Sequence, residues 1–334
     1  MLMDILGMVL SLAVILLSCE LFTNGIEWLG KKLNLGDGVV GSIFSAVGTC
    51  LPETMIPVIA ILFSGKSGAS EDIGIGAIMG APFMLSTLAF FLTGISVLVF
   101  RKRRKTGIEM FVNNKVLGRD IGFFIIVYSL GLAASFIDIL LIRYVIAVFL
   151  VAYYIYYIML TVKNDQASHS ELENLYIIKI FNMKPNLGVI IFQILLALTG
   201  IVFGAHLFVG IIENLSEMFG LPALILSLII APIATELPEK FNSIIWISKK
   251  KDTLALGNIT GAMVFQSCIP VTIGILATNW KLDTVAVVSA VLAILSALVT
   301  FLWIKFKGKL NPIPLIFGGV FYGIFISYIF LVAM

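Results

Sequence analysis

Two five-residue runs hold most of the chemistry this chain could perform. Residues 49–53 read Thr-Cys-Leu-Pro-Glu and residues 235–239 read Thr-Glu-Leu-Pro-Glu, so Thr49, Pro52 and Glu53 stand 186 positions before Thr235, Pro238 and Glu239. Both runs lie in long apolar stretches, where inserting a carboxylate costs roughly 2.5–3.5 kcal/mol and marks a functional position. A proline inside a helix removes a backbone donor and displaces a carbonyl. The carbonyls of Thr49 and Thr235, one turn before each glutamate, are therefore expected to turn toward the same point. Two carboxylates and two carbonyls across a pseudo-two-fold make an all-oxygen cage suited to Ca²⁺, and two carboxylates neutralise one divalent ion in a low dielectric.

Glu236 and Gln266 are further oxygen donors for such an ion, although Gln266 could equally satisfy a neighbouring helix. Two expectations for Glu236 stand side by side. As a third carboxylate in the cavity it would oblige at least one of the group to hold a proton near neutral pH, and proton binding would then replace part of any ion coupling. Alternatively it pairs with Lys240, four residues on, and never meets the ion. Glu20 and His206 occupy equivalent places before the two runs and are read as buried hydrogen-bonding groups, with a proton relay as the other reading. Gly76-x-x-x-Gly80 and Gly257-x-x-x-Gly261, also repeat-related, are read as close helix packing.

The elements that position these residues follow from composition. Of 334 residues 60% are hydrophobic and 12% charged, and the mean hydropathy is +1.09. A soluble protein carries about 25% charged residues, so this chain must meet lipid over most of its area. Apolar runs predict ten spans: 5–24, 38–64, 72–100, 120–137, 139–162, 187–212, 221–248, 253–278, 283–305 and 312–334. The break between 137 and 139 rests mainly on Asp138. No basic segment precedes the first run, which argues for a mature span rather than a cleaved signal peptide. Cys19, Cys50 and Cys268 sit in apolar stretches and read as small buried hydrophobes.

Taken in alternate loops, 18 Lys and Arg residues fall on one side and Lys66, Arg143 and Lys281 on the other. The positive-inside rule then places both termini outside. The basic cluster at 101–105 is read as topological rather than as a nucleic-acid patch. The polar stretch 163–186 would be a cytoplasmic loop joining a first half, 1–162, to a second, 187–334. Five spans per half is an odd number, so the second half enters the membrane upside down. The expected fold is an all-α membrane protein of ten transmembrane helices in two inverted-topology repeats, with a substrate site near mid-depth where the halves meet.

These motifs resemble those of the calcium/cation antiporter superfamily, whose sodium/calcium exchangers carry G-T-S-x-P-E on one helix and G-N-x-x-G-S-N-x-x-N/D on the next, in two inverted repeats. The resemblance covers nearly the whole chain and implies that Glu53, Glu239, Thr49 and Thr235 bind Ca²⁺. The departures are specific. Cys50 and Glu236 stand where the first motif has serine. Ala81 and Ala262 replace both serines of the second, and Leu85 and Gln266 its Asn and Asp. The resemblance thus implies an intact calcium-type position and largely missing sodium-site hydroxyls. The large regulatory domain of animal exchangers is absent, because 163–186 is too short.

The expected activity is secondary antiport of Ca²⁺ or a similar cation against Na⁺ and/or H⁺ by alternating access, with small cations and lipid as partners and no resident cofactor. A bundle holding its site between its own halves can work as a monomer, here in a prokaryotic cell membrane. The other readings are a non-transporting sensor or scaffold of exchanger descent and, from another class, a membrane-embedded hydrolase. The chain contains no H-E-x-x-H, G-x-S-x-G or phosphate-loop motif, so no catalytic residues are assigned.

Overall fold

Long apolar runs punctuated by Asn, Asp and Gly can satisfy their backbone in lipid only as helices, and helices are what they form. The computed structural model describes residues 2–33, 50–63, 68–104, 107–164, 174–177 and 186–333, without the side chains of 2, 162–164, 237–239, 241, 242, 332 and 333. The helices are α1 (Leu2–Lys32), α2 (Leu51–Leu62), α3 (Gly68–Phe100, with a π turn at Leu85–Ala89), α4 (Asn114–Ala134) and α5 (Leu140–Asn164). After the connecting stretch come α6 (Leu187–Phe219), α7 (Ala223–Ser248), α8 (Asp252–Ala277), α9 (Thr284–Lys307) and α10 (Pro312–Ala333).

Eight of these are long and apolar enough to cross a membrane; Leu51–Leu62 and Ala223–Glu236 are shorter apolar helices. Residues 38–49 of the expected second span lie outside the described residues. Several helices outrun their apolar cores: α1 continues to Lys32 and α6 to Phe219, because a helix need not stop where its hydrophobic stretch does. Asn113, Asn186 and Asp283 cap α4, α6 and α9 through their side-chain oxygens. Gly220 and Gly308 end α6 and α9 at φ of 64°, a conformation that favours glycine. The break near Asp138 falls between Ala134 and Leu140.

α8 and α3 are the most buried of the long helices and α5 the least. The outer surface is apolar; Leu141, Val145 and Val148 project from α5, as a lipid-facing helix requires. α1 lies antiparallel on α6, with Gly204 against Ile15 and Ser11 and Gly200 beneath Ser18. This is the small-residue packing that lets membrane helices approach.

The loops meet in two groups. At the Lys/Arg-rich end, Met110 bridges to Leu310, and Asn114 donates to the Gly308 carbonyl at 2.6 Å. There, too, Arg104 is fully enclosed. Its Nη1 and Nη2 reach Asp252 Oδ1 and Oδ2 at 2.7 and 2.6 Å, and they also donate to the carbonyls of Ile247 and Glu109 at 2.8 and 3.1 Å. At the other end Arg143 donates to the carbonyls of Ile137 and Asn279, Trp280 to the Gly131 carbonyl at 2.9 Å, and Ser70 to Glu213 at 2.6 Å. Arg104 therefore departs from the other described members of its basic cluster: Arg101, Lys102 and Arg103 are exposed.

Candidate cation-binding site

Glu53 lies in the first turn of α2, directly after Pro52. Proline suits that place, since the first helical N–H groups have no intrahelical acceptor. Pro52 stands in the first turn of the described helix, and the residues before Cys50 that bear on the expected mid-helix kink lie outside the described residues. Pro238 does fall inside a helix, α7. The Glu53 carboxylate is 4% exposed and faces the positive end of its helix dipole, which attracts negative charge.

α3 and α7 bring the opposite wall into place. A Cβ on Gly76 would stand 2.5 Å from the Leu224 carbonyl oxygen, and one on Gly80 would run into the carbonyl of Leu228, so the two backbones touch. Ser227 pins the contact by donating to the Ile73 carbonyl at 2.7 Å. Glu53 and Ile56 of α2, Ala77 and Ala81 of α3, and Ala231, Pro232 and Thr235 of α7 consequently line one narrow gap. Thr235 is 1% exposed, and its hydroxyl donates to the Ala231 carbonyl at 2.9 Å. Ala81 presents a methyl group to the space. Among the described residues, the second glycine pair does not repeat this contact: nothing lies within 4 Å of a Cβ on Gly257, and Gly261 has Tyr157 Oη at 3.8 Å. The packing reading is met at the first pair.

Glu236 forms the expected ion pair with Lys240. Its Oε2 lies 3.1 Å from Lys240 Nζ, with both side chains 2% exposed, and Lys240 also donates to Asn258 Oδ1 of α8 at 3.2 Å. The Glu236 carboxylate therefore has an ammonium group beside it. Gln266 is buried on α8, with no hydrogen-bond partner for its Nε2 among the described residues, and it is not among the residues lining the Glu53 cavity. Thr49 and the Glu239 side chain lie outside the described residues. Glu20 and His206 are exposed, which corrects their reading as buried groups; Glu20 Oε1 accepts from Tyr176 at 2.9 Å. All three cysteines are buried, as their reading as small buried hydrophobes expects.

Sequence reasoning missed two polar centres. Asp120 seemed only to mark the start of a span. It is instead buried inside α4, accepting from Arg119 at 2.9 and 3.0 Å and from Thr260 of α8 at 3.2 Å. Arg104–Asp252 was hidden because neither residue stands out from its neighbours. Asn258 was visible only as part of the glycine motif.

A helical bundle with apolar outer walls and carboxylates buried between its packed helices defines a polytopic integral membrane protein of the ion-handling kind. The chain belongs to the sodium/calcium exchanger protein family, whose model matches residues 3–163 and 189–334, and so to the calcium/cation exchanger superfamily, a transporter class rather than an enzyme class. It is 24% identical over 333 residues, 99% of each chain, to the protein named antiporter CaxA of Alkalimonas amylolytica. It is also 24% identical over 301 residues, 89% of each chain, to an uncharacterised membrane protein of Methanocaldococcus jannaschii. The fold matches the H⁺/Ca²⁺ exchanger CAX with a TM-score of 0.72 at 16% identity, over 98% of this chain and 82% of that one. It matches YfkE at 0.68 and 15%, over 99% and 92%, and the sodium-calcium exchanger NCX_Mj at 0.56 and 19%, over 98% of each.

Proposed function

We propose that this protein is a secondary active antiporter carrying Ca²⁺, or a similar divalent cation, in exchange for Na⁺ and/or H⁺ by alternating access. The observation that carries the reading is the shared cavity. Glu53 from the first half and Thr235 from the second line one buried space at a helix start, and the sequence places Glu239 one turn beyond Thr235. Glu53, Glu239, Thr49 and Thr235 are the proposed ligands, with Glu236 and Gln266 as nearby donors.

The proposed architecture is ten spans in two inverted five-helix repeats, 1–162 and 187–334, joined through 163–186. Element contacts support it, because they pair across the halves. α4 packs on α8 as α9 packs on α3, α5 on α8 as α10 on α3, and α4 on α5 as α9 on α10. The grouping of loops at two ends supports the charge-based topology, with the Lys/Arg-rich end cytoplasmic and both termini outside. The protein is taken to work in a prokaryotic cell membrane, as a monomer if each chain holds a whole site.

The test is reconstitution into proteoliposomes loaded with Na⁺ or at low internal pH, followed by ⁴⁵Ca²⁺ uptake. Uptake is expected to follow at least one of the two gradients and to be lost in Glu53→Gln. Absence of gradient-driven uptake by the wild type would overturn the reading and leave a non-transporting exchanger relative, and full uptake by Glu53→Gln would overturn the assignment of Glu53 as a ligand.

A further inference from the structure

A divalent carrier must dispose of the negative charge left in its interior when the ion departs, because uncompensated buried carboxylates are costly. Glu236 has its compensation built in. The Lys240 ammonium sits 3.1 Å from Glu236 Oε2 and 3.2 Å from Asn258 Oδ1, bridging α7 and α8 with both charged side chains 2% exposed. Ser243 continues the Glu236–Lys240 stripe of α7 at helical spacing. It is buried, and its hydroxyl has no hydrogen-bond partner among the described residues. A carboxylate and an amide oxygen from facing helices, with a hydroxyl further along the stripe, are donors of the hard type that a small monovalent cation uses.

We propose that the Lys240 ammonium is a tethered counter-cation, filling between Glu236 and Asn258 an oxygen-lined position that a free monovalent ion such as Na⁺ would otherwise occupy. The inference rests on the antiporter reading and deepens it by removing that ion from the exchange cycle. Two physical arguments favour it over a purely structural ion pair. A tethered group competes at an effective concentration in the millimolar range or above, so the ammonium holds the position against free cation. The charge count also closes: Glu53, Glu236 and Glu239 contribute three negative charges and Lys240 one positive, leaving the two that one divalent ion neutralises. The pair is thus neutral within itself, and the rest of the site remains matched to its cargo.

The experiment compares thermal unfolding of purified wild type, Lys240→Met, Glu236→Gln and the double variant Glu236→Gln/Lys240→Met. Each is measured in sodium chloride and in N-methyl-D-glucamine chloride of equal ionic strength. Wild type sets the baseline difference between the two salts, to which any Na⁺ bound elsewhere in the exchange cycle contributes, and the variants are read against it. Lys240→Met should melt about 2–4 °C higher in sodium, and the double variant should lose that difference. Folded Lys240→Met with no sodium-specific rise overturns the proposal, as does a rise that persists in the double variant. Should Lys240→Met fail to fold, wild type and Glu236→Gln decide: a sodium-specific rise in wild type that Glu236→Gln abolishes overturns the proposal, and its absence supports it. Calorimetric titration of wild type with Ca²⁺ runs alongside; absent binding there sinks the antiporter reading, whereas the sodium comparison reports on Lys240.

Discussion

Removing Arg104 should destabilise the protein far more than removing any exposed neighbour in its basic cluster. Both side chains of the Arg104–Asp252 pair are 0% exposed, and Arg104 also holds the Ile247 and Glu109 carbonyls. Arg104→Ala leaves Asp252 buried, with the Phe111 N–H donating to its Oδ2 at 2.9 Å. Breaking a buried pair from one side costs about 3–5 kcal/mol, and at about 2–4 °C per kcal/mol for a large domain the melting temperature should fall by roughly 6–20 °C. Arg104→Met with Asp252→Leu should recover most of the loss, because no unpaired charge remains. Arg103→Ala, in an exposed position, should move the midpoint by under about 2 °C. The assay is fluorescence-detected unfolding in detergent at low and high salt, and the Arg104→Ala deficit should persist in salt because enclosed charges are weakly screened. An Arg104→Ala midpoint within about 2 °C of wild type would refute the reasoning. So would a double variant no better than the single.

The other expectations concern packing and the cavity. Gly80→Ala should force α3 away from the Leu228 carbonyl and cost about 1–3 kcal/mol, while Gly210→Ala, with open space around it, should be neutral in the same melt. Ala81→Ser should add an oxygen beside Glu53 and strengthen sodium inhibition of Ca²⁺ uptake several-fold; unchanged inhibition would show that this wall does not meet the ion. Asp120→Ala should lower stability by about 1–3 kcal/mol, whereas Thr260→Val, which removes one 3.2 Å donor, should cost about 1 kcal/mol. Equal losses from the two would contradict the assigned hydrogen bonds.

Helix positions were legible in the sequence because transfer of each residue to lipid is a local property. The run lengths located the helices, and Asp138 marked a true break. The doubled motif was legible as the 186-residue spacing between Glu53 and Glu239. Helix direction around the axis was not legible, and it decides partners. Glu20 and Glu53 look alike as acids in apolar runs, yet one is exposed and the other 4% exposed in a cavity. Nor did the motif position of Gly76 announce that the Leu224 carbonyl of another helix stands 2.5 Å from where its Cβ would be.

The sequence by itself therefore determined a lipid-embedded helical bundle, its doubled acidic motif and its superfamily, all consequences of residue type and spacing along one strand of chain. Tertiary structure alone decided that Lys240 spans from Glu236 to Asn258 and that Arg104, unlike Arg103, is enclosed with Asp252. The physical reason is that a buried charge is fixed by what faces it. Asn258 lies 18 residues from Lys240 and Asp252 lies 148 from Arg104, and only packing brings them within hydrogen-bond reach.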